Sequence, residues 1–226
     1  MSGRVLWGAR FVLLAVACGA ALLGIAMTLY PGGTALDAHA PGHSFWLNFL
    51  CDLTAGVARN GVVNPAGSLA ARGAMLALSL ALGATWLVVP VFVAGQPAMA
   101  RAIRVAGTIG VVALILVPLA AGTAHAVAIF TAAAAGLAAG ISTVVALARS
   151  RGPVRRWLPL AAVLAATAAD SIFYAQAVHA RPLPPSPALP TFQRVGLLLA
   201  VAWMLATALE IVRAGRLAAA QHDPRA

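Results

Sequence analysis

Residues 101–147 read RAIRVAGTIGVVALILVPLAAGTAHAVAIFTAAAAGLAAGISTVVAL, an apolar run broken only around Gly122 and Thr123. A hydrocarbon core of roughly 30 Å takes about 20 apolar helical residues, so one helix over this run would cross a bilayer about twice. The run therefore reads as two membrane helices joined by a tight hairpin.

Four more apolar stretches of similar length flank this pair. The six spans are expected at about 10–30, 72–95, 101–121, 124–147, 157–178 and 195–213, in a single membrane domain covering 1–226. Breakers separate them: Pro31-Gly32-Gly33, Gly95-Gln96-Pro97 and Arg151-Gly152-Pro153. The expected fold class is all-α, a polytopic bundle of six transmembrane helices. Arg4 and Arg10 before the first run imitate a signal peptide, and Ala15-Val16-Ala17-Cys18 a lipoprotein site, but apolar residues continue to Leu29, as in a first membrane helix.

Composition agrees with this division. The chain has 62% hydrophobic and 9% charged residues, and a mean hydropathy of +0.94, too apolar for one water-soluble core. Its net charge of +10 would favour nucleic acid in a soluble protein, but every basic residue is Arg and most flank apolar runs. Nucleic acid is excluded as a partner on that ground; anionic lipid at the cytoplasmic surface is expected instead. The alanine- and arginine-rich, lysine-free composition fits a GC-rich bacterial genome, and hence a bacterial inner membrane.

Orientation follows from arginine, which collects on the cytoplasmic side. An inside N-terminus puts Arg4, Arg10, Arg101, Arg104, Arg149, Arg151, Arg155, Arg156, Arg213, Arg216 and Arg225 in the cytoplasm. It leaves Arg59, Arg72, Arg181 and Arg194 on or near the outer side. Both termini are then cytoplasmic, and the long loops at about 31–71 and 179–194 face outward. The second is a proline-rich connector through Pro182, Pro184, Pro185 and Pro187. In the first, Phe45, Trp46, Phe49, Leu50 and Leu53 recur at helical spacing, with Ser44, Asn48 and Asp52 on another face. That pattern predicts a short amphipathic helix in the interface. Asn64-Pro65 reads as an N-cap and a first-turn proline that start the second span.

An ionisable side chain costs a few kcal/mol in lipid, so each one inside a span needs a reason. Asp170 lies ~13 Å below the outer end of the fifth span, with Ser171 and Tyr174 close on the same helix. His125 is near the outer end of the fourth, His179 caps the fifth, and Arg72 is near the outer end of the second. With His43, Asn48, Asn64 and Asp52 they form an outer-side polar set. One functional reading makes Asp52, His125, Asp170 and His179 catalytic, with His43, His125, His179 and Asp170 as metal ligands acting on a lipid head group. No HExxH, paired-histidine, GxSxG or P-loop pattern accompanies them. A structural reading pairs Asp170 with Arg72 or Tyr174, hydrogen-bonds His125 to a neighbouring helix, and uses Asp52 as a cap. Ligand binding without catalysis lies between the two.

Other features read as architecture. Gly136 and Gly140 form a GxxxG for internal packing, Glu210 pairs with Arg213, and Pro90 and Pro118 kink their helices. Cys18 and Cys51 have no metal or disulfide spacing and read as small packing residues.

The order Tyr30-Pro31-Gly32-Gly33, Phe45-Trp46-Leu47-Asn48-Phe49-Leu50-Cys51-Asp52-Leu53, Asn64-Pro65, then Pro118 and His125 around the hairpin resembles an uncharacterised bacterial six-span family. That family is similar in layout to the DRAM-like proteins, with an aspartate-containing first outer loop. The resemblance covers most of the chain and implies the same architecture. Wider relatives act in lipid or GPI-anchor remodelling and autophagy regulation, and distant intramembrane hydrolases use Ser, His and Asp with a metal. This chain lacks their paired histidines in the last helix. Asn48, Asp52, Asn64 and His125 match as family-like polar positions without an implied role. The expected function is binding or handling of a lipid head group at an outer-leaflet polar site. The alternatives are a metal-dependent intramembrane hydrolase, and a small transporter or non-catalytic scaffold.

Overall fold

A computed structural model describes residues 2–150, 153–179 and 186–220, without the side chains at 154, 155, 177–179, 219 and 220. Most of the proline-rich connector, Arg151, Arg181 and Arg225, and the side chains of Arg155 and His179, lie outside the described residues.

Among the described residues seven α-helices follow in order: α1 Gly3–Leu29, α2 Leu50–Thr54, α3 Pro65–Val88, α4 Pro97–Leu116, α5 Gly122–Arg149, α6 Val154–His179 and α7 Ala188–Ala220. All but α2 are long and apolar enough to cross a membrane. They overrun the expected spans at most ends, because the Ala- and Arg-rich flanks are strong helix formers and continue the helix past the apolar core. At 27 residues, α1 is ~40 Å long, enough to reach through both head-group layers. Among the described residues no strand forms; Gly32 with Pro41 and Val57 with Val63 make isolated bridges.

The six long helices close a ring in chain order. α1 packs on α3, α3 on α4, α4 on α5, α5 on α6, α6 on α7, and α7 returns to α1. Between α3 and α4, α4 and α5, and α5 and α6 the short connections enforce antiparallel neighbours. Pro90 and Pro118 lie beyond the ends of α3 and α4 rather than inside them. Each sits in a short 3-10 turn, Val89–Val93 and Val117–Leu119, where the missing proline N–H ends the α-helical ladder.

Packing differs between the two ends of the ring. At the end away from loop 30–64, Ala9, Val12, Trp86, Val93, Ile103, Leu147, Leu160, Trp203 and Ile211 form one continuous core. The Arg156 guanidinium closes this end polarly: it meets Glu210 at 2.6 Å and lies 4.6 Å from the Phe92 ring centroid. Arg156 thus takes the place expected for Arg213, because it reaches the carboxylate from the neighbouring helix. Glycine allows close approach at selected points. A Cβ on Gly107 of α4 would stand 2.6 Å from the Trp86 Cβ of α3, and one on Gly140 would strike Leu164 of α6. Both glycines of the GxxxG pair lie at close helix approaches: Gly136 presents its backbone N 3.2 Å from where a Cβ on Gly110 of α4 would stand, while the space beyond its own Cβ position is open.

Candidate functional site

Loop 30–64 folds over the other end of the ring as a cap held by its own polar residues. The chain leaves α1 through Tyr30 and turns at Gly33, whose φ of +85° and contact with the Arg59–Asn60 backbone suit glycine. Asn48, fully buried, accepts from Ser44 N–H at 2.9 Å and donates to the Gly33 carbonyl at 2.8 Å, linking two turns fifteen residues apart. Asp52 accepts from Phe49 N–H at 2.9 Å and from Asn48 Nδ2 at 3.2 Å through one oxygen. Its other oxygen accepts from Arg59 Nε at 2.8 Å. Asp52 therefore caps α2, as the structural reading expects.

The expected polar face of this segment is turned inward. Asn48 and Asp52 are buried, while Trp46 is 47% exposed. Only Leu50–Thr54 becomes α-helix, because the Asn48 side chain bonds loop backbone and competes with a longer helix.

Two consecutive residues of α7 fasten this cap. Gln193 Oε1 accepts from Leu50 N–H at 2.7 Å. Arg194, 0% exposed, donates to the Phe45 carbonyl at 2.9 Å and the Asn48 carbonyl at 3.1 Å, and lies 5.2 Å from the Phe45 ring centroid. His43 Nε2 stands 3.3 Å from Arg194 Nη2. Burial, and then the Arg194 cation, push the His43 imidazole down to about 4, so it is neutral at pH 7 and can accept that bond.

Beneath the cap lies a cavity of about 640 Å³ lined by residues of α3–α7. Its floor is Leu160 with Trp86 and Trp203, whose ring centroids are 5.0 Å apart. Its walls are mostly Leu, Val, Ala and Gly, Gly136 among them. Polar groups gather towards the cap: Cys51, Asp52, Arg59, His125, Asp170, Tyr174 and Gln193. Cys51 Sγ stands 3.7 Å from His125 Nε2, while His125 Nδ1 lies 2.8 Å from the Val117 carbonyl. Donation from Nδ1 to that carbonyl assigns Nε2 the acceptor role towards the thiol. Burial, and then the Asp52 charge, push the Cys51 thiol up to about 11, so it stays protonated at neutral pH.

The residues singled out from sequence separate in space. Asp52, His125, Asp170 and Tyr174 all line the cavity. His43, Asn48 and Asn64 belong to the cap: Asn64 sits at the N-cap of α3, but its Nδ2 donates to the Leu53 and Ala55 carbonyls. Arg72 donates to the Thr54 carbonyl at 3.3 Å rather than to Asp170. His179 ends α6, with its side chain outside the described residues. Among the described residues no three His, Cys, Asp or Glu side chains gather to hold a metal ion. Sequence reasoning missed Cys51, Arg59, Gln193 and Arg194. The available signal was Gln193-Arg194, two strongly polar residues side by side at the start of an apolar span.

Fold and site together show an all-helical chain with six helices long and apolar enough to span a membrane, and a cavity beneath a loop cap. Compared with protein-family models, curated proteins and solved structures, the chain matches none.

Proposed function

We propose that this chain is a multi-pass protein of the bacterial inner membrane that binds an amphiphile, with an apolar chain in the cavity and a polar end under the cap. The cavity carries this reading: about 640 Å³, apolar below and polar at one end. That volume lies within the roughly 300–1,000 Å³ typical of small-molecule sites. A single lipid chain is the matching occupant in a hydrocarbon solvent.

The arginine distribution supports cytoplasmic termini and an outward-facing cap, with Trp46 at the interface. A head group entering from the outer leaflet then meets Arg59, Asp170 and Tyr174. The closed floor of Leu160, Trp86 and Trp203 favours binding over a transport path. The layout shared with the six-span, DRAM-like proteins belongs to the same proposal.

Photo-crosslinking tests it. A phospholipid with a diazirine at its chain end should label the cavity wall and floor, at Leu164, Leu160 or Trp203. Labelling confined to lipid-facing residues such as Leu158 and Ile172, 55% and 58% exposed, would remove the cavity from the account. Topology is checked separately: a C-terminal green fluorescent protein should fluoresce, and a C-terminal alkaline phosphatase should be inactive.

A further inference from the structure

The charges on the cavity wall are unequally matched. Asp52 is paired with Arg59 at 2.8 Å, while Arg194 lies outside the cavity lining and donates to the cap. Asp170 faces the same cavity with no hydrogen bond or ion pair to any described residue. Its neighbour Ser171 is occupied, donating to the Thr167 carbonyl at 2.8 Å. An ionised carboxylate left unpaired in an apolar setting is costly, and the cost is relieved by a proton or by a cationic ligand.

One turn nearer the cap on the same helix, Tyr174 also lines the cavity, its ring 5.7 Å from that of Phe130 on α5. A carboxylate with an aromatic ring at i+4 offers an ion pair and a cation–π face to one bound ammonium group. Hydrogen-bond donors on the wall are farther towards the cap, at Arg59 and Gln193, where an anionic part of the same head group can lie.

We infer that the cavity selects amphiphiles whose polar end carries an amine, held by the Asp170 carboxylate beside the Tyr174 ring. This rests on the amphiphile-binding reading above and adds the chemical class of the ligand. The unpaired acid and its adjacent aromatic argue for a cation, and the apolar depth below them argues that the cation is attached to a chain.

The test uses the full chain in detergent, stripped of lipid and given equal amounts of phosphatidylethanolamine and phosphatidylglycerol with identical chains. Native mass spectrometry then counts what binds. The wild type should favour the ethanolamine lipid about fivefold or more, a range that one partly desolvated ion pair can supply. Asp170→Asn should bind the two equally, and Asp170→Glu should keep the preference. Equal binding of both lipids by the wild type, or an unchanged preference in Asp170→Asn, would overturn the amine assignment alone. Binding of neither lipid by the wild type would instead overturn the amphiphile reading on which it rests. Displacement of bound lipid by millimolar ethanolamine would assign the site to a soluble amine and overturn the amphiphile selection.

Discussion

The Asp52 carboxylate and the Arg59 guanidinium meet at 2.8 Å on the rim of the cavity, tying the two halves of the cap together. The partners are unequal. Asp52 is 5% exposed and also receives Phe49 N–H and Asn48 Nδ2, whereas Arg59 is 46% exposed. Asp52→Ala should therefore destabilise the cap by about 1–3 kcal/mol for each buried donor it orphans. Arg59→Ala should cost less than ~1 kcal/mol, as for a half-exposed pair. Denaturation in micelles, followed by tryptophan fluorescence, orders the two variants; equal losses would contradict the assignment.

His43 beside Arg194 makes the cap sensitive to acid. The unfolded chain takes up a proton near pH 6.5 and the folded chain only near pH 4, so acidification through that window favours unfolding. The stability is fully present above pH 6.5 and is lost as pH falls towards 4. His43→Gln should abolish that part of the pH dependence, measured as melting temperature between pH 7 and pH 4. A wild-type profile no steeper than that of His43→Gln would refute it.

Cys51 should be a slow nucleophile. With its thiol pushed up to about 11, little thiolate exists at pH 7.5. In a Cys18→Ser background, alkylation by iodoacetamide should be at least about tenfold slower than for a free thiol of pKa ~8.5. Its rate should keep rising with pH to about 11. Rapid labelling at pH 7.5 would show instead that His125 holds a thiolate.

The six-helix bundle was legible in the sequence because its signal is local: runs such as 101–147 are long enough to satisfy every backbone group only as membrane helices. The spacing marks Gly136 and Gly140 as packing residues, yet only structure separates Gly140, whose Cβ position is filled by Leu164, from Gly136, whose Cβ position opens to the cavity. The site was half legible. Asp52, His125 and Asp170 stand out as ionisable groups in apolar surroundings. Their partners do not, since Arg194 reaches Asn48 across 146 residues and Arg156 reaches Glu210 across 54. Such pairings depend on the closure of the ring in space, which no periodicity encodes. The predicted pairing of Asp170 with Arg72 failed for the same reason, because Thr54, brought close by the cap, takes the guanidinium instead.

The central claim is that the cavity is occupied by an amphiphile, and Gly136 allows it to be filled without disturbing the bundle. A Cβ at this position meets nothing within 4 Å, whereas one at Gly140 strikes Leu164. Gly136→Phe should therefore fold, and Gly140→Phe should be destabilised by at least ~1–3 kcal/mol of overpacking. The decisive measurement is the native mass spectrum of gently solubilised wild type beside Gly136→Phe. The account predicts one bound amphiphile per wild-type chain and none on the variant, at similar melting temperatures. A lipid-free wild type, or a Gly136→Phe variant that retains the same adduct, would contradict it.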